Sequence, residues 1–275
     1  MLRALLLDLG ETLVHEDAVL PHVPEALDAL SRLPTGSGQP LQLALVSDYT
    51  MPDPAAGDGE VAKLFAEYLA KVRSFGLLRF FEPPDRHVTL STQARVRKPD
   101  PQIFRLALRR LGLDPELSTA MFITEDPGHV AAARSLGMTA LQYGADFDDW
   151  SAAPLLAARA LQIADAGALL EAANLRLRVL YELRIARLER SPAGEWLGET
   201  VAGERVVIAI DSRGDVASVE RVGPPNEREQ RFRQMLKDNE ELAPAGEPLP
   251  PGATHVDEPG PGGTPRSRRK RFKLV

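Results

Sequence analysis

Cysteine is absent from all 275 residues. A disulfide framework, a thiolate zinc site and a cysteine nucleophile are thereby excluded, and a reducing compartment suits such a chain. Long apolar runs are missing as well. The opening MLRALLLDLGE has one Arg and a short apolar stretch cut off by Asp8, too little for a signal peptide or a membrane span. A cytoplasmic protein with no membrane attachment is expected. There is no convincing internal repeat, and no basic body. The last ten residues carry six cations and no acid (Arg266, Arg268, Arg269, Lys270, Arg271, Lys273), so the preceding chain holds a net charge of −12 against −6 for the whole. Proteins that bind duplexes are basic over a whole face, so any affinity for polyanions belongs to the tail. What the chain does have is apolar residues, 44% of the total, enough for one large domain or two modest ones.

The first half alternates short apolar runs with helical patterns. Leu5–Leu9, Leu41–Val46, Ala120–Thr124 and Thr139–Tyr143 read as buried strands. Helices are expected at Pro24–Leu33, Glu60–Phe75, Pro101–Leu111 and Gly128–Leu136, with Pro24 and Pro101 in first turns and Gly112 and Gly137 at helix ends. Continuously apolar strands separated by helices imply a parallel sheet covered on both faces, a Rossmann-like doubly wound α/β fold. The expected division is 1–150 for this domain, 151–242 for a helical linker and a small strand-rich accessory domain, and 243–275 for a Pro/Gly-rich linker and basic tail.

Four elements at the strand ends and helix starts of the first half carry chemistry. In Leu5-Leu-Leu-Asp8-Leu-Gly-Glu-Thr12-Leu13, a carboxylate follows a buried strand, where open α/β sheets place their ligands. In Leu45-Val-Ser47-Asp48, a hydroxyl and backbone N–H groups are offered to a phosphate oxygen. In Arg97-Lys98-Pro99-Asp100-Pro101, two prolines fix the backbone around an ammonium. In Ile123-Thr-Glu125-Asp126-Pro-Gly-His129, paired acids follow a strand and need a cation or metal; such oxygen ligands suit Mg²⁺. Taken singly, each has a plainer reading as loop or helix-cap chemistry.

Together and in this order, with Ala132–Met138 reading A-x-x-L-G-M after the acids, these strings resemble the haloacid dehalogenase superfamily over about residues 1–150. The resemblance implies a hydrolase: Asp8 as nucleophile forming an aspartyl-phosphate, Ser47 and Lys98 holding the phosphoryl oxygens, and Mg²⁺ bound by Asp8, the Gly10 carbonyl and Asp126, with Glu125 beside them. It implies a phosphorylated substrate. Most phosphatases of the family carry a second Asp two residues after the nucleophile as acid/base; here that position is Gly10. Glu11 is the candidate substitute, with His15 behind it. The further acid often found after the fourth motif is also missing, with Val130 and Ala131 in its place. Dehalogenation is disfavoured by the missing cap and by Glu125 and Asp126.

Spacing adds an independent point. Only 33 residues lie between Leu13 and Ser47, and 50 between Ser47 and Lys98, the latter including Pro52–Gly59, a loop by composition. Neither interval has room for a large cap, so an open cleft and a bulky substrate, a macromolecule included, are expected.

In the second half, Pro154–Leu170 reads as a helix. From Leu175 to Ile185, apolar and charged residues alternate with period two, a half-exposed strand by pattern, while the Leu, Arg and Glu content leaves a helix open. Arg205–Ile210 and Val216–Val222 flank a turn carrying Gly214, and Glu227–Leu242 reads as an exposed charged helix. Residues 243–265 are expected to be extended or disordered. Tyr181 and Trp196 are read as the core of a small β unit. The strand-rich segment either covers the open site or serves oligomerisation or partner binding. The basic tail Arg266–Lys273 is a candidate for an acidic partner, with Phe272, Leu274 and Val275 as a docking end. His22, His87 and His255 receive no role. Against the phosphatase stands a second reading: a weak or inactive domain of this type, serving as a protein- or nucleic-acid-binding scaffold.

Overall fold

A computed structural model describes residues 1–55, 57–191, 194–222, 227–239, 242–243, 255–259 and 265–269. The chain divides into two compact units: Met1–Leu183 with Asp211–Asp215, and Arg184–Ile210 with the segment from Val216 on. The sequence had suggested a boundary near 150; residues 151–183 fall with the first unit.

In the first unit the chain runs β1 (Ala4–Leu7), β2 (Val14–His15), β3 (Ala18–Val19), α1 (Val23–Arg32), β4 (Gln42–Ser47), α2 (Asp58–Ser74), α3 (Pro84–His87), β5 (Val88–Leu90) and α4 (Ser91–Ala94). It continues through α5 (Pro101–Arg110), β6 (Ala120–Thr124), α6 (Pro127–Ser135), β7 (Thr139–Gln142), α7 (Ala153–Ala160) and α8 (Ala166–Tyr181). Five strands form one parallel sheet in the order β5-β4-β1-β6-β7. This is the expected doubly wound α/β fold. Strand β5 escapes sequence reading because three residues make no recognisable run. Along β1, side chains alternate between two buried faces: Ala4 and Leu6 join Ala44, Val46, Phe122 and the α5 and α6 residues Phe104, Leu108, Val130 and Ala133 in one core. Leu5 and Leu7 are as fully buried on the other side. Both faces are covered, which is why the strands lack polar alternation.

The order places β1 at the centre, with succeeding strands added first on one side (β4, β5) and then on the other (β6, β7). That reversal is a topological switch point, and ligands of open α/β sheets bind outside the carboxyl ends of the strands there. Asp8 is the residue after β1, and its N–H donates to the Ile123 carbonyl at 3.0 Å.

The stretch from Leu175 corrects the strand reading: it is helix α8 through Tyr181, and a strand starts only at Ile185. Period two misleads because α8 is covered on more than one side. Leu169, Ala172, Ala173, Leu175 and Leu177 are buried, and so is Arg176. The Arg176 guanidinium donates to both Asp215 oxygens, at 2.8 and 2.5 Å, and to Ser151 Oγ at 3.0 Å, so a charged residue occupies a core position. Tyr181, expected in a β core, ends this helix largely exposed. The single helix expected at Pro154–Leu170 is broken between α7 and α8, where Asp165 accepts from the Ala168 N–H and starts α8.

The second unit is an antiparallel meander of β8 (Ile185–Arg190), β9 (Trp196–Thr200), β10 (Arg205–Ile210) and β11 (Val216–Val222), in the order β11-β10-β9-β8. Ile185, Val206 and Ile208 are buried here around Gly198, where a Cβ would lie 2.9 Å from Val206 Cγ2 and 3.0 Å from Ile185 Cδ1. Trp196 is half-buried, its ring under the Arg190 guanidinium at 5.6 Å. Helix α9 (Glu227–Asp238) agrees with the charged helix expected. Beyond it, β12 (Leu242–Ala243), β13 (His255–Pro259) and β14 (Pro265–Arg269) form a small sheet in the order β12-β13-β14. Strand β13 agrees with the extended alternative for the linker, while β14 corrects the reading of a disordered tail over residues 266–269. Backbone pairing, which composition does not report, orders these strands: His255 pairs with Arg269, and Pro259 with Pro265. Lys270, Arg271, Phe272, Lys273, Leu274 and Val275 lie outside the described residues. Among the described residues, no helix is long and apolar enough to cross a membrane.

Candidate active site

The four elements meet at the carboxyl edge of the sheet. Asp8 is 9% exposed, a position an unpaired carboxylate would not tolerate. Its Oδ1 accepts the Leu9 N–H at 2.9 Å and the Ser47 hydroxyl at 3.4 Å; its Oδ2 accepts the Thr124 hydroxyl at 3.3 Å and the ammonium of Lys98. Ser47 ends β4, the strand beside β1, and Thr124 ends β6 on the other side. Lys98 comes from the loop before α5. Its side chain is almost wholly buried and paired with Asp8, and its N–H is held by Asp48 Oδ1 at 3.0 Å. So the sequence candidates Asp8, Ser47 and Lys98 come together, and Asp48 has a role that reading it as a motif neighbour did not reveal.

The paired acids separate in function. Asp126 is the N-cap of α6: its Oδ1 accepts from Gly128 N at 2.7 Å and His129 N at 3.0 Å. These donors, the His129 N–H foremost, hold its carboxyl below the usual carboxylate range against the opposing effect of burial. Glu125 faces Asp8. Its Oε2 accepts from Thr12 Oγ1 at 2.5 Å and from Thr124 Oγ1 at 3.2 Å, and the same Thr124 hydroxyl reaches Asp8. The Glu125 N–H donates to Thr12 Oγ1 at 3.1 Å, and its carbonyl accepts from Gln142 Nε2 at 3.0 Å.

Among the described residues, no three His, Asp or Glu side chains converge at metal-ligand spacing. Magnesium does not require three: it keeps several waters and is held by one or two carboxylates plus substrate phosphate. The oxygen-only set here, with the Asp8 and Glu125 carboxylates flanking one hydroxyl and the Gly10 carbonyl following in the same loop, fits such a hard cation.

Glu11, the candidate acid/base, adopts a left-handed φ of 53°. Its carboxylate meets His15 Nδ1 at 2.5 Å in a largely exposed pair. The Glu11 hydrogen bond and charge raise the His15 pKa above its ordinary value. Among the described residues, no hydrogen bond joins Glu11 to Asp8.

Three participants carried no sequence signal. Tyr68 on α2 is buried and donates to Ser47 Oγ at 2.7 Å. Trp150, fully buried, donates through Nε1 to the Thr12 carbonyl at 2.7 Å. Thr124 bridges the two acids. Tyr68 reaches Ser47, Trp150 reaches Thr12 and Thr124 reaches Asp8 across long sequence separations, where spacing conveys nothing. Of the unassigned histidines, His22 bonds Asp149 at 3.1 Å, His87 bonds the Leu43 carbonyl at 2.7 Å, and His255 lies on β13 with its ring edge-on to Phe232.

No family model and no curated protein matches this chain. Solved structures are similar to it at low identity. A HAD family hydrolase from Deinococcus radiodurans R1, with bound phosphate and sodium, is 17% identical with a TM-score of 0.36 over 65% of this chain and 95% of that one. An uncharacterised protein from Corynebacterium glutamicum is 17% identical with a TM-score of 0.32 over 52% and 85%. The HAD family enzyme bt-2542 from Bacteroides thetaiotaomicron, in complex with magnesium and inorganic phosphate, is 13% identical with a TM-score of 0.24 over 52% and 94%. These likenesses are distant, and what the site can do follows from its own atoms.

Proposed function

We propose that the protein is a Mg²⁺-dependent phosphoric monoester hydrolase of haloacid dehalogenase type acting through Asp8. The observation that carries this reading is the setting of that carboxylate at the switch point, buried and ringed by the Ser47 hydroxyl, the Thr124 hydroxyl and the Lys98 ammonium. In the proposed reaction an Asp8 oxygen attacks phosphorus, the bond to the leaving oxygen breaks with its electron pair, and an aspartyl-phosphate forms. Water then attacks the phosphorus, releasing inorganic phosphate and restoring the carboxylate. Lys98 and Ser47 follow the charge on the phosphoryl oxygens, a favourable use of preorganised donors. Asp8 and Glu125, with the Gly10 carbonyl, would hold Mg²⁺, while Asp126 fixes the start of α6 beside them. When bound, the ion would neutralise part of the phosphoryl charge.

With Gly10 where a second Asp would stand, Glu11 tied to His15 and Glu125 given to the metal, no further carboxyl group among the described residues is bonded into the Asp8 cluster as an acid. The leaving group must therefore depart as a reasonably stable anion, so aryl and acyl phosphates are favoured over alkyl esters. A large substrate suits the intervals that have no room for a cap. The test is hydrolysis of a series of substituted aryl phosphates, with and without Mg²⁺, beside Asp8→Asn. The expected result is Mg²⁺-dependent turnover that rises steeply as the leaving group becomes more acidic and is lost in the variant. Equal activity in wild type and variant sinks the reading. The absent acid also favours the scaffold reading, which requires no turnover on any phosphate ester and a partner complex that survives Asp8→Asn.

A further inference from the structure

The phenol of Tyr68 is one of the buried polar groups at the site that the proposed reaction does not use. It comes from α2, and its ring packs edge-on against Tyr49 at 5.3 Å between centroids. Its hydroxyl donates to Ser47 Oγ at 2.7 Å. Burial pushes the phenol pKa up, against the effect of the Ser47 hydrogen bond, so it stays a proton donor across the working range. Ser47 has a single hydroxyl proton. With a Ser47 lone pair filled by Tyr68, that proton is directed the other way, towards Asp8 Oδ1 at 3.4 Å. A 3.4 Å approach is long for a hydroxyl donating to a carboxylate oxygen, which leaves the proton available to an incoming acceptor.

We propose that Tyr68 is a positioning residue: it orients and polarises the Ser47 hydroxyl so that its proton is presented to a phosphoryl oxygen bound over Asp8. This rests on the phosphoryl-handling reading of the site. The chain Tyr68–Ser47–acceptor gains from mutual polarisation in a buried setting. The phenol touches neither substrate nor nucleophile, so its whole effect passes through Ser47.

That dependence gives the test. Inorganic phosphate binding to the Mg²⁺-loaded full-length protein is measured by calorimetry, alongside KM and kcat for an aryl phosphate, in wild type, Tyr68→Phe, Ser47→Ala and the double variant. One hydrogen bond corresponds to about a fivefold effect. Tyr68→Phe is expected to weaken phosphate about fivefold and to raise KM more than it lowers kcat. Adding it to Ser47→Ala is expected to change nothing further. An unchanged phosphate affinity in Tyr68→Phe, or an equal loss in the Ser47→Ala background, overturns the proposal. Replacing Tyr68 alone with 3-fluorotyrosine, a stronger donor of the same shape, is expected to tighten phosphate, and weaker binding there overturns it even if the Phe variant does not fold. Phosphate binding that obeys this pattern without turnover supports the role of Tyr68 while sinking the hydrolase. Turnover with an indifferent Tyr68 sinks this inference alone. A wild type that neither binds phosphate nor hydrolyses the ester sinks both.

Discussion

The indole nitrogen of Trp150 donates to the backbone carbonyl of Thr12 at 2.7 Å, across 138 positions of sequence. Trp150 stands in an aromatic cluster with Tyr143 and Phe147, so the loop after Asp8 is fastened to that cluster. Through Thr12 Oγ1 the same link reaches the Glu125 carboxylate. Trp150→Phe keeps most of the packing but leaves a buried carbonyl without its donor. The expected cost is about 1–3 kcal/mol, a fall in Tm of several degrees, measured by calorimetry. A Tm unchanged within error would mean that the carbonyl finds another partner.

Thr12→Val tests the other end of that link. It removes the hydroxyl that holds Glu125 at nearly constant volume. The Mg²⁺ requirement for aryl phosphate turnover is expected to rise about tenfold or more, the size of loss typical when the support of a metal ligand is removed. Unaltered Mg²⁺ dependence would remove Glu125 from the metal set.

Lys98 and Asp8 form a buried ion pair, and removing one partner of such a pair leaves the other uncompensated. Lys98→Met is expected to cost about 3–5 kcal/mol in urea unfolding, together with a loss of turnover of at least about a hundredfold. In the double variant Asp8→Asn/Lys98→Met, stability should return substantially while turnover stays absent. A double variant no more stable than Lys98→Met would place the cost in packing.

Asp126 predicts a pH signature. Its pKa in the folded state lies below the ordinary 3.8, chiefly because the His129 N–H donates to it. Its stabilising contribution is therefore complete above the unfolded value and is lost as pH falls through the folded one. Asp126→Ala is expected to cost about 1 kcal/mol at neutral pH, as a lost N-cap, and progressively less as pH drops below about 4. Thermal unfolding across this range checks it. A cost independent of pH would exclude the carboxylate as the capping charge.

Gly198 is packed so closely that its missing side chain is structural. A Cβ there would sit 2.9 Å from Val206 Cγ2 and 3.0 Å from Ile185 Cδ1. Gly198→Val is expected to destabilise the β8–β11 meander by about 1–3 kcal/mol without altering phosphate binding. Loss of phosphate binding would tie the meander to the site.

Much of the first unit was legible because its signals are local. Ala120–Thr124 is an apolar run of strand length flanked by helical patterns, and Pro101 and Pro127 begin helices as first-turn prolines do. Position after a strand marked Asp8 and Ser47, since a parallel sheet gathers its carboxyl ends on one edge, while Lys98, in the loop before α5, was nominated by its Pro-flanked string and by the family resemblance. Pattern failed where burial came from several sides: Leu175–Tyr181 alternates like a strand and is a helix, because Arg176 is buried against Asp215. It also failed at β14, where the basic tail is held as a strand by pairing with β13, which composition does not report.

The sequence alone determined that a carboxylate and a hydroxyl would share one edge of a parallel sheet, because the alternation of strands with helices dictates that edge; the ammonium of Lys98 was added by the resemblance of its motif. Only the tertiary structure decided which of two adjacent acids faces Asp8 and which caps a helix. It alone brought Tyr68 to Ser47 and Trp150 to Thr12. Those are choices of side-chain direction and long-range contact, made by packing, and packing leaves no local trace in the order of residues.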